Sequence, residues 1–317
     1  MTQQPKRAVV FAYHNVGVRC LKVLLAGGVD VALVVTHQDS AAENIWFESV
    51  QSLCELEGIP FVTPDDPKSP ELLAQVQAAK PDLMFSFYYR HMLPQAILDV
   101  APAYNMHGSL LPEYRGRAPT NWAVLHGARE TGASLHEMTI KPDAGAIVAQ
   151  QAVPILPDDT AFEVFGKVTV AAELALYGVL PALLLGSAPR TPNDLSKGGY
   201  FGGRKPEDGR IDWQQSASQV YNLHRAVAPP YPGAFTDISA DIDSGAGPRR
   251  YVIERARPYR GDPARIAGLP PGLAVVDNAI LGVCGDGRAL AIHSLLADAQ
   301  RISAAELQTR LAAPAAE

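Results

Sequence analysis

Residues 8–35 read AVVFAYHNVGVRCLKVLLAGGVDVALVV, which is two short apolar runs separated by an amphipathic segment. The runs at 8–13 and 31–35 are continuous and rich in valine, as in parallel strands that are covered on both faces. The segment at 17–26 has apolar residues at helical spacing and is followed by the glycine pair 27–28, a common helix end. Strand, helix and strand in this order predict a parallel βαβ unit.

The same alternation continues through the first 180 or so residues. Helical patterns at 42–56 and 70–79 separate strand patterns at 59–62 and 82–87. This order predicts an α/β domain with a Rossmann-like, mostly parallel sheet and helices on both faces. Ligands of such sheets bind beyond the carboxyl ends of the strands, so the segments that follow strands are where we look for a site.

The second half of the chain has a different pattern. A long helix predicted at 160–185 is followed by residues 187–209, which are rich in Gly, Pro, Ser and charge and which we interpret as a linker. Short β-like segments follow, with Gly and Pro between them, and they predict a small OB-like β-barrel. These segments are 234–238, 251–256, 273–276, 280–283 and 290–295. The predicted domains are therefore 1–186 and 210–317.

Composition excludes several classes of protein. The 317 residues carry a formal net charge of −6, which gives no general attraction for nucleic acid. Cys20, Cys54 and Cys284 are far apart and form no metal-binding spacing, so we expect a reducing compartment and neither a disulfide framework nor a metal site. The sequence has no run of 18 apolar residues and no signal-peptide core, so we expect a cytoplasmic protein without a membrane span.

Two frequent uses of an α/β sheet are not supported by the motifs. Residues 12–17 read AYHNVG after the first strand, which is not the GxGxxG of a dinucleotide site, and no phosphate-binding P-loop motif occurs. Residues 108–110 read GSL rather than the GxSxG elbow of a serine hydrolase, and Ser109 has no evident triad.

Residues 105–119 read NMHGSLLPEYRGRAP and carry the most informative pattern. Asn105 and His107 are two apart, so in a strand their side chains share one face, and the strand stops at Gly108. Both would then lie at the carboxyl edge of the sheet. An amide donor can stabilise an oxyanion, and an imidazole can transfer protons near neutral pH, so this pair suits acyl transfer.

A carboxylate can complete this pair. Asp143 lies in the stretch KPDAGA, between the strand patterns at 134–138 and 146–148. A carboxylate in such a turn at a strand end can approach His107. We expect it to orient the imidazole and to raise its pKa.

These motifs resemble those of the folate-dependent formyltransferases. The quoted pattern N-x-H-G-S-L-L-P-x-Y-R-G, followed by D-A-G, is similar to this group, which includes methionyl-tRNA, glycinamide ribonucleotide and sugar N-formyltransferases. The stretches VFAYH at 10–14, FSFYYRH at 85–91, DAGAIVAQ at 143–150 and PGAF at 232–235 resemble most the formyltransferase part of the bifunctional enzymes acting on UDP-4-amino-4-deoxy-L-arabinose. At this length the chain would be a stand-alone form.

The resemblance implies a reaction and roles for three residues. The donor would be 10-formyltetrahydrofolate, and the acceptor would be the 4-amino group of a UDP-aminosugar whose product serves lipid A modification. Asn105 would bind the formyl oxygen, His107 would move the proton from the amine to N10 of the folate, and Asp143 would hold His107. The amine attacks directly, so the enzyme needs neither a nucleophile nor a metal.

The resemblance also implies ligand-binding residues. For the folate these are His91, Met92, Leu93, Arg117, Thr139, Ile140, Lys141, Pro142 and Asp143. For the acceptor they are Ser109, Tyr200, Phe201 and Arg204, with Gly203 where the sugar enzyme has a second arginine.

Alternative interpretations remain. A methionyl-tRNA formyltransferase would share the trio but must bind a polyanion, against which the net charge and the acidic stretch 237–243 argue. An enzyme for another nucleotide aminosugar, or a binding protein without catalysis, would also fit much of the pattern. His126, His136 and His293 lie in regular patterns and are predicted to be structural, whereas His14 and His91 could serve either purpose.

Overall fold

The structure is a computed structural model that describes residues 4–39, 44–238 and 248–312. Residues 239–243 of the acidic stretch therefore lie outside the described residues. Contacts divide the chain into two units, each built from several segments. The first unit comprises Met1–Thr120, Glu130–Pro154 and Phe165–Gly203. The second comprises Asn121–Arg129, Ile155–Val164 and Arg204–Glu317.

The elements alternate between strand and helix through most of the first half. In chain order they are β1 Arg7–Ala12, α1 His14–Ala26, β2 Asp30–Val35, α2 Val50–Glu57, β3 Phe61–Val62, α3 Pro70–Ala78, β4 Leu83–Phe87, α4 Gln95–Leu98, β5 Ala103–His107, β6 Arg115–Gly116, α5 Pro119–Leu125, β7 Glu130–Glu137, β8 Ile147–Pro154 and α6 Ala161–Leu184. There follow β9 Tyr200–Phe201, α7 Ala217–Val227, β10 Ala234–Ile238, β11 Arg249–Pro258, β12 Gly272–Val276, β13 Ala279–Val283, β14 Ala289–Ala297, β15 Gln300–Arg301 and α8 Ala304–Ala312.

The predicted α/β sheet is confirmed. Its strand order is β3-β2-β1-β4-β5-β7-β8, parallel from β3 to β5 and antiparallel at β7 and β8. β1 is buried on both faces, as its unbroken apolar run predicts. On one face, Phe11 packs in a core with Leu72 of α3, Met84 of β4 and Ile97 of α4. On the other face α1 lies so close that a side chain at Gly17 would press on β1.

The helix predicted at 42–56 is shorter in the structure. It begins at Val50, because the Ser49 hydroxyl accepts a hydrogen bond from the Ser52 N–H and caps the first turn. Residues 42 and 43 of the predicted helix lie outside the described residues, and residues 44–49 are not helical. The helical spacing therefore extends further along the sequence than the helix does.

The predicted C-terminal β domain is confirmed as a curled antiparallel sheet. Its order is β10-β11-β14-β13-β12, with β15 paired to β14. Tyr251 of β11 is almost fully buried in its core. Trp213 packs against the strand β13 at Gly282, where any side chain would collide with the indole ring.

Within the described ranges, one helix is long and apolar enough to cross a membrane by length and composition alone. This helix is α6, and half of its most apolar window is buried. Its Glu173 forms a bidentate ion pair with Arg19 of α1, with a closest distance of 2.7 Å. This ion pair fixes α6 to α1 of the same unit.

Lowering the pH from 7 to 5 should destabilise the first unit through His14. Burial, and then the charge of Arg90, lower the pKa of His14 to about 3, against about 6.5 in an unfolded chain. The unfolded state binds the extra proton, so stability is lost as the pH falls through 6.5, by about 2 kcal/mol at pH 5. Thermal unfolding at both pH values measures the loss. His14→Asn, which tolerates the left-handed backbone at φ 67°, should show a smaller drop; an equal drop would contradict this origin.

Candidate active site

Asn105 and His107 lie at the end of β5, on the edge predicted to bind ligands. β5 runs parallel to β4 and antiparallel to β7, with Asn105 opposite His136 in the register. The strand ends at Gly108, which is pressed against the Tyr88 hydroxyl so closely that a methyl group would overlap it. The motif glycine thus lets the end of β4 and the end of β5 meet.

Asp143 reaches the same place from the turn between β7 and β8. Its Oδ1 lies 3.5 Å from His107 Nδ1 and 3.4 Å from His136 Nε2. The Gly116 N–H donates a 2.8 Å hydrogen bond to Oδ2. The backbone of Asp143 has φ 49°, a left-handed conformation that aspartate tolerates better than most residues. The structure therefore brings Asn105, His107 and Asp143 together.

The carboxyl group of Asp143 is an anion in this setting. Burial alone would raise its pKa. The nearby His107, the neighbouring His136 and the Gly116 N–H outweigh that effect and lower the pKa to about 2. Asp143 is therefore available as a fixed negative charge across the pH range in which proteins are folded.

The net pKa shift of His107 is opposite in direction to the effect of Asp143. Asp143 does favour its protonated form, but burial outweighs this effect and the pKa of the imidazole is lowered. The upward effect predicted for Asp143 is present, but the net shift is downward because the ring is only 6% exposed, which the sequence does not reveal. The neutral imidazole is therefore the favoured form, and its lone pair is available to accept a proton. Its Nε2 lies 2.8 Å from the Tyr114 carbonyl, so two acceptors face the ring and stabilise it once it is protonated.

A cavity of ≈ 370 Å³ opens beside these side chains, within the size range of ligand sites. Of the residues predicted to bind the folate, all but two line it. The lining ones are His91, Met92, Leu93, Arg117, Thr139, Pro142 and Asp143. Among the described residues, Ile140 and Lys141 do not line the cavity and are exposed to solvent.

The residues predicted to bind the acceptor are divided. Tyr200 lines the cavity. Ser109 is fully buried and bonds the Glu113 carbonyl at 2.5 Å, so it shapes the motif loop instead. Phe201 packs on Tyr114, and Arg204, in the second unit, lies over the Trp122 ring. In the part of the chain that the structure describes, these last three are not cavity residues.

A larger cavity, ≈ 660 Å³, opens near the start of β5 beside Tyr104, Glu137 and Arg190. Glu137 and Arg190 form an ion pair there with a distance of 2.6 Å. Asn105, His107 and Asp143 do not line this cavity, so the chemistry points to the smaller one.

The segment 191–201, within the predicted linker, is attached to the loops of the site. Asn193 donates a 2.9 Å hydrogen bond to the Asp143 carbonyl. β9 pairs with β6, and the Arg115 guanidinium binds the carbonyls of Leu195 and Lys197 at 3.3 Å. Arg115 is therefore a loop-fixing residue. The 191–201 segment holds both the motif loop and the Asp143 turn in place.

Gly116→Ala should destabilise the protein by about 1–3 kcal/mol. Gly116 has φ +99°, and a methyl group there would collide with the Phe201 carbonyl of β9. Gly202→Ala is the matched control, because its side chain would meet nothing within 4 Å. Urea unfolding of the two variants measures the difference. A Gly116→Ala variant as stable as Gly202→Ala would show that β6 and β9 do not press together.

His136 lies beside Asn105 and Asp143, a position that the sequence did not reveal. The ring is 2% exposed, and its Nε2 lies 3.1 Å from Asn105 Nδ2 as well as 3.4 Å from Asp143. Sequence patterning placed it in a strand and predicted a structural role. The alternation at Ser134 and His136 put the side chain on one strand face, but the pairing of β7 with β5 is not a local property.

Several solved structures share this fold. An N-formyltransferase from Helicobacter canadensis, in complex with folinic acid and dTDP-3-aminofucose, is 16% identical with a TM-score of 0.70, covering 94% of this chain and all of that one. WlaRD, a sugar 3N-formyl transferase with dTDP and 5-N-formyl-THF, is 16% identical with a TM-score of 0.68, over 95% and 99%. HypX from Aquifex aeolicus, in complex with tetrahydrofolic acid, is 18% identical with a TM-score of 0.61, over 95% of this chain and 46% of that one.

Two family sequence patterns match this chain. Residues 7–180 match the family described as formyl transferase, and residues 204–311 match the formyl transferase C-terminal domain. The first match alone covers more than half of the 317 residues. The protein with this α/β sheet, its cluster of Asn105, His107 and Asp143 at the sheet edge and its curled C-terminal sheet thus belongs to the formyl transferase family.

Proposed function

We propose that this formyltransferase moves the formyl group of 10-formyltetrahydrofolate to the amino group of a nucleotide-linked aminosugar, with UDP-4-amino-4-deoxy-L-arabinose as acceptor. The observation that carries the proposal is the cluster of Asn105, His107 and Asp143 at the mouth of a cavity. Two similar structures, described as bound to folate derivatives and to dTDP-3-aminofucose or dTDP, support this donor and acceptor class. The particular sugar and its UDP rest on the sequence resemblance.

The cavity fits a folate donor. Its volume of ≈ 370 Å³ suits a flat heteroaromatic ring, and the 88–93 backbone and the turn before Asp143 supply polar groups at its walls. Leu93, which is buried, and Met138 add apolar surface. When bound, the donor supplies an activated formyl group.

Asn105 stabilises the negative charge that develops on the donor, and His107 transfers the proton. As the amine nitrogen bonds to the formyl carbon, negative charge develops on the formyl oxygen, and the Asn105 Nδ2–H can donate a hydrogen bond to it. The Tyr114 carbonyl can only accept a hydrogen bond, so Nε2 carries the proton of the neutral His107 ring. Nδ1, beside Asp143, is then the atom that accepts the amine proton and gives it to N10 as the carbon–nitrogen bond of the donor breaks. Asp143 and the Tyr114 carbonyl hold the protonated ring between these two events.

Arg117 binds the folate and Tyr200 lies on the acceptor side of the site in this proposal. Both line the cavity. A planar guanidinium can bind a carboxylate in bidentate fashion, as the carboxylates of a folate require. Cys20, Cys54 and Cys284 are free and buried, which is in keeping with a cytoplasmic enzyme.

An acceptor panel tests the proposal. The enzyme is incubated with 10-formyltetrahydrofolate and, separately, UDP-4-amino-4-deoxy-L-arabinose, dTDP-3-aminofucose and methionyl-tRNA. We expect tetrahydrofolate release and a formylated product with the UDP-sugar. Preference for the dTDP-sugar would correct the acceptor, and turnover of methionyl-tRNA alone would overturn the aminosugar class.

A further inference from the structure

We infer that His136 is a positioning residue that sets the orientation of the Asn105 amide and so keeps an N–H donor aimed at the reacting formyl oxygen. This inference rests on the proposed function for the role of Asn105. The contacts that carry it are independent of any ligand. They consist of three distances around one buried imidazole.

The first contact fixes the tautomer of His136. Its Nδ1 lies 2.8 Å from the Glu137 carbonyl, which can only accept a hydrogen bond. Nδ1 must therefore carry the proton, and in the neutral ring Nε2 has a lone pair and can only accept. The Glu137 carbonyl thus decides that Nε2, the other ring nitrogen, is a hydrogen-bond acceptor.

The second contact transmits this choice to Asn105. Its Nδ2 lies 3.1 Å from His136 Nε2 and donates one of its two N–H groups to that lone pair. If the amide turned over, its Oδ1 would face the same lone pair, and two acceptors would repel each other. The second N–H of Nδ2 is then the one left for a ligand, and the amide cannot offer its oxygen to a developing negative charge.

The third contact ties Asp143 to the same ring. Asp143 Oδ1 lies 3.4 Å from His136 Nε2, farther than Asn105 Nδ2 at 3.1 Å, so it is a neighbour of this nitrogen and not its hydrogen-bond partner. The same oxygen lies 3.5 Å from His107 Nδ1. His136 therefore lies between Asn105, which stabilises the developing negative charge, and Asp143, which orients His107. Because the imidazole is 2% exposed, water cannot replace it in these contacts without opening the sheet.

Kinetics separate positioning from a merely structural role. His136→Leu should lower kcat by about 10–100-fold and leave both KM values within about twofold, since an oxyanion donor contributes about 10²–10³-fold and is misplaced rather than deleted. His136→Gln can present its Oε1 acceptor near the position of Nε2, and it should recover most of the activity. It also serves as the folded comparison if His136→Leu is poorly soluble.

A double-mutant cycle gives the decisive measurement. In an Asn105→Ala background, His136→Leu should cost almost nothing further, because the residue acts through Asn105. An undiminished cost in that background, or a change in KM rather than kcat, would overturn the inference.

Nuclear magnetic resonance of the ¹⁵N-labelled protein tests the contact without any substrate. The Asn105 side-chain amide signals, identified by their loss in Asn105→Ala, should include one hydrogen-bonded proton that moves upfield in His136→Leu. Unchanged signals would contradict the inference even if the enzyme is active. A wild-type protein that formylates none of the acceptors would contradict the proposed function, while the amide signals would still decide the role of His136.

Discussion

His107→Ala should lower kcat for formyl transfer by about 10²–10⁴-fold, the usual contribution of a general acid–base residue. The amine must lose a proton as it bonds to the formyl carbon, and among the side chains of the cluster only the imidazole can take it near pH 7 and return it. Its low pKa, caused by burial, keeps the ring neutral and ready to accept that proton. Stopped reactions at saturating donor and acceptor measure the loss.

His293→Ala is the control for this prediction. His293 lies exposed in β14 of the second unit, so its removal should leave kcat unchanged. Binding of the folate to His107→Ala, measured by fluorescence titration, should remain within a few-fold of the wild type. A variant that keeps full turnover would show that His107 does not carry the proton.

Asp143→Asn should lower kcat by about 10³-fold with little change in folding, within the range for acid–base catalysis. Asparagine has the same shape and tolerates φ 49°, so its side-chain oxygen can still accept the hydrogen bond that the Gly116 N–H donates. What is lost is the negative charge that stabilises protonated His107 during the reaction. The loss is therefore electrostatic and should appear in kcat more than in KM.

The pH dependence of kcat/KM should also change in Asp143→Asn, in a direction that follows from the effect of Asp143 on the His107 pKa. His107 must be neutral to accept a proton, so kcat/KM should rise with pH through the pKa of the His107–Asp143 pair. Asp143 raises the pKa of His107 against the larger effect of burial. Without that charge the pKa should fall further, and the acid limb should move to lower pH. A shift to higher pH would contradict the assignment.

Local periodicity was sufficient to predict much of this protein. The run at β1 and the spacing of Asn105 and His107 are properties of single strands, and the rule that ligands bind at the carboxyl edge placed both residues correctly. The predicted start of α2 was wrong because the Ser49 cap begins the helix at Val50, inside a longer stretch of helical spacing. Cap geometry depends on the actual backbone and not on apolar spacing.

The missing parts of the site depend on contacts between distant segments. His136 faces Asn105 only because β7 pairs with β5 in one register, and no local signal encodes a register. The direction of the pKa shift at His107 depends on how deeply the ring is buried. Ser109 is the opposite case. The motif predicted that it contacts the acceptor, but its hydroxyl donates a hydrogen bond to the Glu113 carbonyl within the motif loop.

The attachment of the 191–201 segment has a consequence for how such enzymes can be cut and recombined. A fragment that stops where α6 ends would leave β6 without its partner strand and the Asp143 turn without Asn193. A fusion that exchanges the C-terminal sheet for another module therefore needs its junction after Gly203. Insertions between α6 and β9 would shift the segment that holds the Asp143 turn, so we expect a change of chain length there to lower activity.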